Sequence, residues 1–411
     1  MAEVAPMPGL RFRDVPLADV LAPPFDVISP EQQATLYERS PYNVVRLELG
    51  READRYAQAR RTYEGWRASG ALRQDPPSFY LYEQRFTAPD GAPERARRAL
   101  IARVRLEPWS AGVILPHEST HDKAKADRLQ LMRAIQANVS PVFGLSRSMP
   151  VEWPGGAPQA EATDEAGVTH RLWVAPSEPF MLDEQIVIAD GHHRYETALA
   201  YRDERRAQGS HAADFVMIAL VAFDDPGLVV LPTHRLLHSL TPAQLQRLSE
   251  RLGDYFDVEA AAEAPSPRAT QAALDHLAGI DAPAVALYGP LPSGLRVLKL
   301  NRRWAGRAFD ESKSAAWNGL DVSVVHGAFE RILGISPEDA AGERYVRYEQ
   351  SPQAAIRAVQ RGDAQLALLL RPTPAAAVRE VAIAGDKMPQ KSTYFYPKLG
   401  TGVVLNPLDG E

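Results

Sequence analysis

The stretch Gln185–Ile186–Val187–Ile188–Ala189–Asp190–Gly191–His192–His193–Arg194–Tyr195–Glu196–Thr197–Ala198–Leu199 decides how this chain is read. Residues 186–189 are a short apolar run, the pattern of a strand covered on both faces. Gly191 has no Cβ, so the chain can turn sharply there or let a ligand approach its backbone. From Tyr195 the apolar spacing turns helical, with Ala198 and Leu199 on one face and Asp203, Glu204, Arg205 and Arg206 marking a solvated end. His192, His193 and Arg194 thus fall at a helix N-terminus, where backbone N–H groups and the macrodipole favour an anion. Cations are the wrong charge for that place unless an anion is present, which points to phosphate. The plainer alternative makes Asp190 an N-cap and the histidines turn residues.

The six residues Asp190–Gly191–His192–His193–Arg194–Tyr195 resemble the motif of the ParB/sulfiredoxin-like superfamily, most closely that of its free serine kinases. The resemblance implies that a Gly-x-x-Arg turn leading into a helix holds nucleotide phosphates. Here that turn is Gly191, His192, His193 and Arg194, with Thr197 following on the helix. Further blocks resemble a bacterial and archaeal family defined as domain of unknown function 1015. They are Pro23–Pro24–Phe25–Asp26–Val27–Ile28, Asn43–Val44–Val45–Arg46–Leu47, Leu115–Pro116–His117–Glu118, Leu231–Pro232–Thr233–His234–Arg235 and Met388–Pro389–Gln390–Lys391–Ser392–Thr393–Tyr394–Phe395–Tyr396–Pro397–Lys398. This second resemblance spans nearly the whole chain, whereas the first covers one motif and the lobe around it.

At 411 residues the chain is too long for one ordinary core, and two lobes are the default. Hydrophobic residues make up 45% and charged residues 24%, as in a soluble globular protein. A net charge of −6 argues against a protein built to grip nucleic acid, which needs a basic face. Zero cysteines exclude disulfides, thiolate metal sites and cysteine nucleophiles. Residues 1–10 lack the basic-then-apolar pattern of a signal peptide, and no apolar run approaches the length of a membrane span. The expectation is a cytoplasmic protein with no membrane partner.

The pattern of elements predicts a mixed α/β (α+β) protein. A phosphate- or nucleotide-binding lobe, ParB/sulfiredoxin-like by resemblance, is expected over 1–240. A second α/β lobe is expected over 241–411, its last segment returning to the site. Ser29–Pro30–Glu31 opens a helix, 54–69 forms another and 124–137 a third. Residues 79–86, 98–106, 141–145, 168–174 and 215–223 read as strands, the last a central one. Residues 150–166, rich in Pro, Gly and acid, read as a surface loop. Beyond Thr241, helices over 242–252, 269–277, 352–361 and 375–384 alternate with strands over 285–287, 295–300 and 365–370, the texture of a second α/β lobe.

His117–Glu118–Ser119–Thr120–His121 is a literal H-E-x-x-H. A zinc protease sets both histidines on one helix face, uses the glutamate as general base and adds a third ligand beyond. Here Ser119, Thr120, Asp122 and Lys123 supply no apolar face, no glutamate occurs between Glu118 and Glu152, and Ala124 stands where the extended motif needs glycine. No zinc is therefore expected. In the family it resembles, the block corresponds to His117, Glu118, Thr120, Lys125, Asp127 and Arg128, and His121 is incidental. Glu118 would supply a carboxylate, Lys125 and Arg128 cations for phosphate, and His117 and Thr120 substrate contacts. A capped helix with ordinary surface charges is the competing reading.

Thr233–His234–Arg235 follows an apolar run, and cations just after a strand commonly line an open crevice, so His234 and Arg235 are candidate anion contacts. Residues 387–398 hold three lysines beside Tyr394–Phe395–Tyr396. Disordered tails seldom contain such a cluster, so the segment is expected to pack and offer Lys391 or Lys398 to a phosphate. A basic surface loop is the alternative. No G-x-x-x-x-G-K-[ST], G-x-G-x-x-G or protein-kinase motif set occurs.

These readings predict nucleotide-dependent phosphoryl transfer to a small hydroxyl compound, for which the resemblance implies free L-serine. Asp190, at the strand's carboxyl end, and Glu118 are the catalytic candidates, and ATP or ADP with Mg²⁺ is the cofactor the resemblance implies. Alternatives are a phosphatase of a small phosphorylated metabolite, a nucleotide-gated ParB-like binding protein, and a non-catalytic sensor. The expected partners are a small-molecule substrate and a nucleotide, with a homodimer allowed and nucleic acid disfavoured.

Overall fold

Residues 186–189 form the strand that their apolar run predicts: Ile186–Asp190 lies second from the edge of a mixed sheet, its four apolar side chains buried. The computed structural model describes residues 1–89, 91–120, 122–290, 293–335 and 344–410, the side chains of 122–124 excepted. The chain divides into two units, Met1–Val229 with Phe395–Glu411, and Val230–Tyr394.

In the first unit the sheet runs in the order Ile114–Leu115, Ile186–Asp190, Val142–Ser146, Phe215–Ala222, Arg95–Arg105, Ser78–Phe86, Thr169–Pro176, Ala160–Thr163. Ile186–Asp190 pairs in parallel with Ile114–Leu115, and Phe215–Ala222 with Val142–Ser146; the other pairings along this path are antiparallel. Phe215–Ala222 is central and almost wholly buried, which is what its unbroken apolar run requires. Gly144, on the strand between it and Ile186–Asp190, has no space for a side chain. A Cβ there would lie 2.9 to 3.1 Å from Ile186, Ile218 and Leu220, whose branches fill the gap.

The helix His192–Ala207 lays Tyr195, Ala198 and Tyr201 on that sheet, against a core that includes Ile186, Ile188, Val216 and Ile218. A separate core joins the helices Pro30–Arg39, Val45–Glu48, Arg55–Ala68 and Asp122–Ile135 through Leu36, Leu47, Tyr63, Trp66, Leu131 and Ile135. Ser29 caps the first of these as expected, its Oγ accepting from the Gln32 N–H at 3.2 Å. The expected loop over 150–166 is only partly a loop. Ala160–Thr163 pairs with Thr169–Pro176 as an edge strand, hidden in the sequence because its Ala-Glu-Ala-Thr has little β-propensity and mostly faces solvent.

The second unit's main sheet orders Phe256–Ala262, Ser293–Leu300, Ala284–Pro290, Leu366–Leu369, His234–Leu237 and Val346–Glu349, every pairing antiparallel. Helices cover both faces. Val285 and Leu287 pack with residues of Pro242–Tyr255 and Asp321–Leu333, while Ala284 and Ala286 pack with residues of Pro267–Ala278 and Pro352–Gln360. Because His234–Leu237 belongs to this sheet, the division falls at Val229 and Val230 rather than at residue 240. Among the described residues no helix is long and apolar enough to cross a membrane.

Candidate functional site

The strand Ile186–Asp190 does not run straight into its helix. Its pairing with Val142–Ser146 shifts register between Ile188 and Asp190, so Ala189 is an extra residue and the strand end is re-aimed. Gly191 follows at φ +89° as the residue before the helix His192–Ala207, a conformation that an L side chain rarely adopts. Asp190 is therefore the last strand residue and not the N-cap of the plainer reading.

Arg194 folds back over this turn. A Cβ on Gly191 would lie 2.8 to 3.0 Å from its guanidinium, so the missing side chain is what lets the fold-back occur. Arg194 Nη2 donates to Asp190 Oδ2 at 2.7 Å, and Nη1 donates to the Pro141 carbonyl. Lys398 Nζ donates to Asp190 Oδ1 at 2.6 Å. Burial by itself would push the Asp190 carboxyl up, but Lys398 and Arg194, with His192 behind them, outweigh it and hold the group well below the usual carboxylate range. Two cations thus share one carboxylate at the start of a helix.

His117 and His192 pack edge to face beside this group, with ring centroids 4.7 Å apart. The His117 backbone N–H donates to His192 Nε2 at 3.2 Å. His117 Nδ1 lies 2.6 Å from the Ile188 carbonyl and donates to it. Burial pushes the His117 pKa down against the charges of Glu118 and Asp190, so the ring is neutral at pH 7. Glu118 Oε1 lies 3.9 Å from His117 Nε2, beyond hydrogen-bond reach.

The segment carrying Lys398 is held by the sheet. Arg97, 1% exposed, donates to the carbonyls of Tyr396 and Pro397, and Gln84 Nε2 donates to the Lys398 carbonyl at 2.9 Å. Burial brings the Arg97 pKa down to about 10, so it stays charged. Neither Arg97 nor Gln84 stood out in the sequence, because both lie on strands whose neighbours are ordinary core residues.

Thr120 and Lys125 meet at a residue the sequence reading passed over. Glu196 Oε2 accepts from Thr120 Oγ1 at 2.5 Å and lies 3.2 Å from Lys125 Nζ, while Oε1 accepts from Trp109 Nε1 at 3.1 Å. Its position two residues after Arg194 was the available signal. Arg128 is buried, bonded to Asp127 and to the Glu48 carbonyl at 3.0 Å, with its guanidinium 4.0 Å from the Phe25 ring centroid. A cavity of about 40 Å³ is lined by Arg128, Glu48, Ser140, Arg194 and Thr197, and the buried Thr197 hydroxyl has no hydrogen-bond partner among the described residues.

His234, Arg235 and Lys391 lie in the second unit. His234 Nδ1 accepts the Leu370 N–H at 3.1 Å, and burial, with Arg235 adding to it, lowers its pKa to about 4. It is neutral at pH 7, so any contact it makes with an anion is a hydrogen bond from Nε2 and not an ion pair. Arg235 donates to the carbonyls of Thr233, Gln390 and Lys391, while Lys391 itself has φ +53°. Among the described residues no three His, Asp or Glu side chains cluster as a metal site. His121, the second histidine of the H-E-x-x-H, lies outside the described residues.

The chain matches the family described as "Protein of unknown function (DUF1015)" over residues 4–323. It belongs to that family. The matched region contains the Asp190 turn and ends before Lys398. No curated protein is a significant match. Similar solved structures include "Free serine kinase in complex with AMP", at 12% identity and a TM-score of 0.39 over 72% of this chain and 86% of that one. A conserved hypothetical protein from Pyrococcus furiosus is also 12% identical, with a TM-score of 0.37 over 73% and 94%. SbnI with C-terminal truncation from Staphylococcus aureus is 9% identical, with a TM-score of 0.38 over 76% and 90%.

Proposed function

We propose that the turn at residues 190–194 binds a nucleotide through its phosphates. On this reading the protein transfers a phosphoryl group to a small hydroxyl compound, free L-serine being the acceptor that the motif resemblance implies. The observation that carries the reading is Asp190 between Arg194 and Lys398 at a glycine-led helix start. An arriving phosphate draws on the same guanidinium, ammonium and helix dipole that now serve the carboxylate. As Arg194 and Lys398 turn to it, Asp190 loses part of what holds its carboxyl down and becomes a better acceptor for a hydroxyl proton. Before that exchange Asp190 is a weak base, so its first task is to orient the acceptor. Glu118, across His117, is the second carboxylate for an acceptor bearing an ammonium or hydroxyl group.

Mg²⁺ usually reaches such sites on the nucleotide, held by one or two carboxylates and phosphate oxygens. Asp190, with a cation on each oxygen, does not fit as its ligand in this arrangement, and among the described residues no further carboxylate or imidazole joins Glu118 in a metal cluster.

The test is a phosphorus NMR screen of ATP, ADP and CTP, each with L-serine and a panel of small alcohols, and of phosphoserine alone. A phosphoserine or other phosphate-ester signal supports the kinase, and inorganic phosphate from phosphoserine supports the reverse, hydrolytic sense. Tight nucleotide binding with no new phosphorus signal would sink both and leave a nucleotide-gated binding protein.

A further inference from the structure

A second pocket in the first unit involves none of the residues of the Asp190 turn. Its volume is about 310 Å³, at the lower end of the range for small-molecule sites. Its lining comes from four separate parts of the sequence, around Arg11 to Val20, Gln159 to Glu161, Leu172, and Gly402 with Val403. One part of the wall is apolar, and the accessible surface there belongs to Val15, Pro16 and Leu17, since Val20 and Leu172 lie fully buried behind it; Arg11 and Arg13 supply the charge.

The charges there do not balance. Arg11 and Arg13 both bond to one carboxylate, Asp75, which is 1% exposed and also accepts from the Tyr80 hydroxyl at 3.0 Å. Arg11 takes it from two nitrogens, at 2.6 and 3.2 Å, and is itself 7% exposed. Arg13 reaches it with Nη2 and is 38% exposed. Glu161 also lines the pocket, but its carboxylate is engaged by Arg171 Nε at 2.5 Å. Among the described residues, one guanidinium charge is thus left over beside an apolar wall. A carboxylate or phosphate monoester presents two oxygens at the spacing of the guanidinium fork.

We propose that this pocket binds a small organic oxyanion, a carboxylate or phosphate monoester with a short apolar body, its head on Arg13 and its body on Val15, Pro16 and Leu17. The site is separate from the proposed nucleotide turn and stands whether or not that reading holds.

Calorimetric titration of the full chain at low ionic strength, with hexanoate, hexyl phosphate and uncharged hexanol, tests it. One acid probe should bind at a single site, with hexanol about tenfold weaker or worse, since a charge-assisted hydrogen bond is lost. Whichever of hexanoate and hexyl phosphate binds more tightly identifies the head group. Arg13→Gln, at a partly exposed position, should keep the melting profile and lose about tenfold in affinity for that probe. Ala160→Trp, which fills the pocket, should abolish binding, and Arg194→Ala should leave it unchanged. The proposal is overturned if hexanol binds as well as the acids, or if neither acid binds at millimolar concentration. It also falls if Arg194→Ala, and not Arg13→Gln, removes the binding.

Discussion

Lys398 Nζ lies 2.6 Å from Asp190 Oδ1 across 208 residues of sequence. With Arg194 on the other oxygen, the carboxyl is held well below its ordinary range. A carboxyl depressed in the folded state stabilises the fold above its unfolded pKa, about 4, and that contribution fades as the pH falls towards the folded value. Asp190→Asn should therefore be less stable than wild type at pH 7 and approach it at pH 3. Urea unfolding at both values checks this, and a gap of equal size at pH 3 would show that the pairing contributes nothing. In the phosphorus NMR assay the same variant should lose about 10²–10⁴ in rate, the usual range for a lost general base.

Arg194→Ala removes the guanidinium that bridges Asp190 and the Pro141 carbonyl. Affinity for ADP should fall by roughly 1.5–3 kcal/mol, the range for a hydrogen bond to a charged group. Calorimetry decides it, and unchanged affinity removes the turn from consideration as the nucleotide site.

Gly191→Ala tests the turn from the backbone side. At φ +89° an L residue costs about 1–2 kcal/mol, and the new Cβ would displace the Arg194 guanidinium. Nucleotide affinity should therefore fall in Gly191→Ala but hardly change when the same substitution is added to Arg194→Ala. Such non-additivity is the mark of two changes acting through one contact.

Arg97→Met keeps the length of the side chain but leaves the Tyr396 and Pro397 carbonyls without their buried donor. The expected cost is about 1–3 kcal/mol for buried groups left unsatisfied. Amide exchange at Lys398 and Gly400 should accelerate more than exchange at the central strand Phe215–Ala222. Equal protection in both places would mean that the segment is held by packing alone.

Much of the fold was legible. The apolar runs at 186–189 and 215–223 became strands, and Ser29 became a cap, because each signal is local: period, branching and one hydroxyl. The turn glycine was legible for the same reason. The bulge at Ala189 was not, since register belongs to a pair of strands and only one of them is written in any segment. Two pairings escaped for another reason. Glu196 joins Thr120 and Lys125, and Arg97 holds the segment before Lys398, over 71 or more and about 300 residues respectively. The second unit's alternating helices and strands read as an α/β lobe, which they form, but the antiparallel pairing of its main sheet was not written in them. Helices on both faces bury such strands as fully as crossover helices bury parallel ones, so the two topologies leave the same hydrophobic imprint.

The membership of Phe395–Glu411 in the first unit also sets an order in time. During synthesis the strand, the glycine turn and Arg194 emerge early, while Lys398 leaves the ribosome only after the whole of the second unit. For all that interval Asp190 has Arg194 within reach and cannot yet meet Lys398. Its pairing with Lys398 is therefore among the last long-range contacts that the growing chain can make.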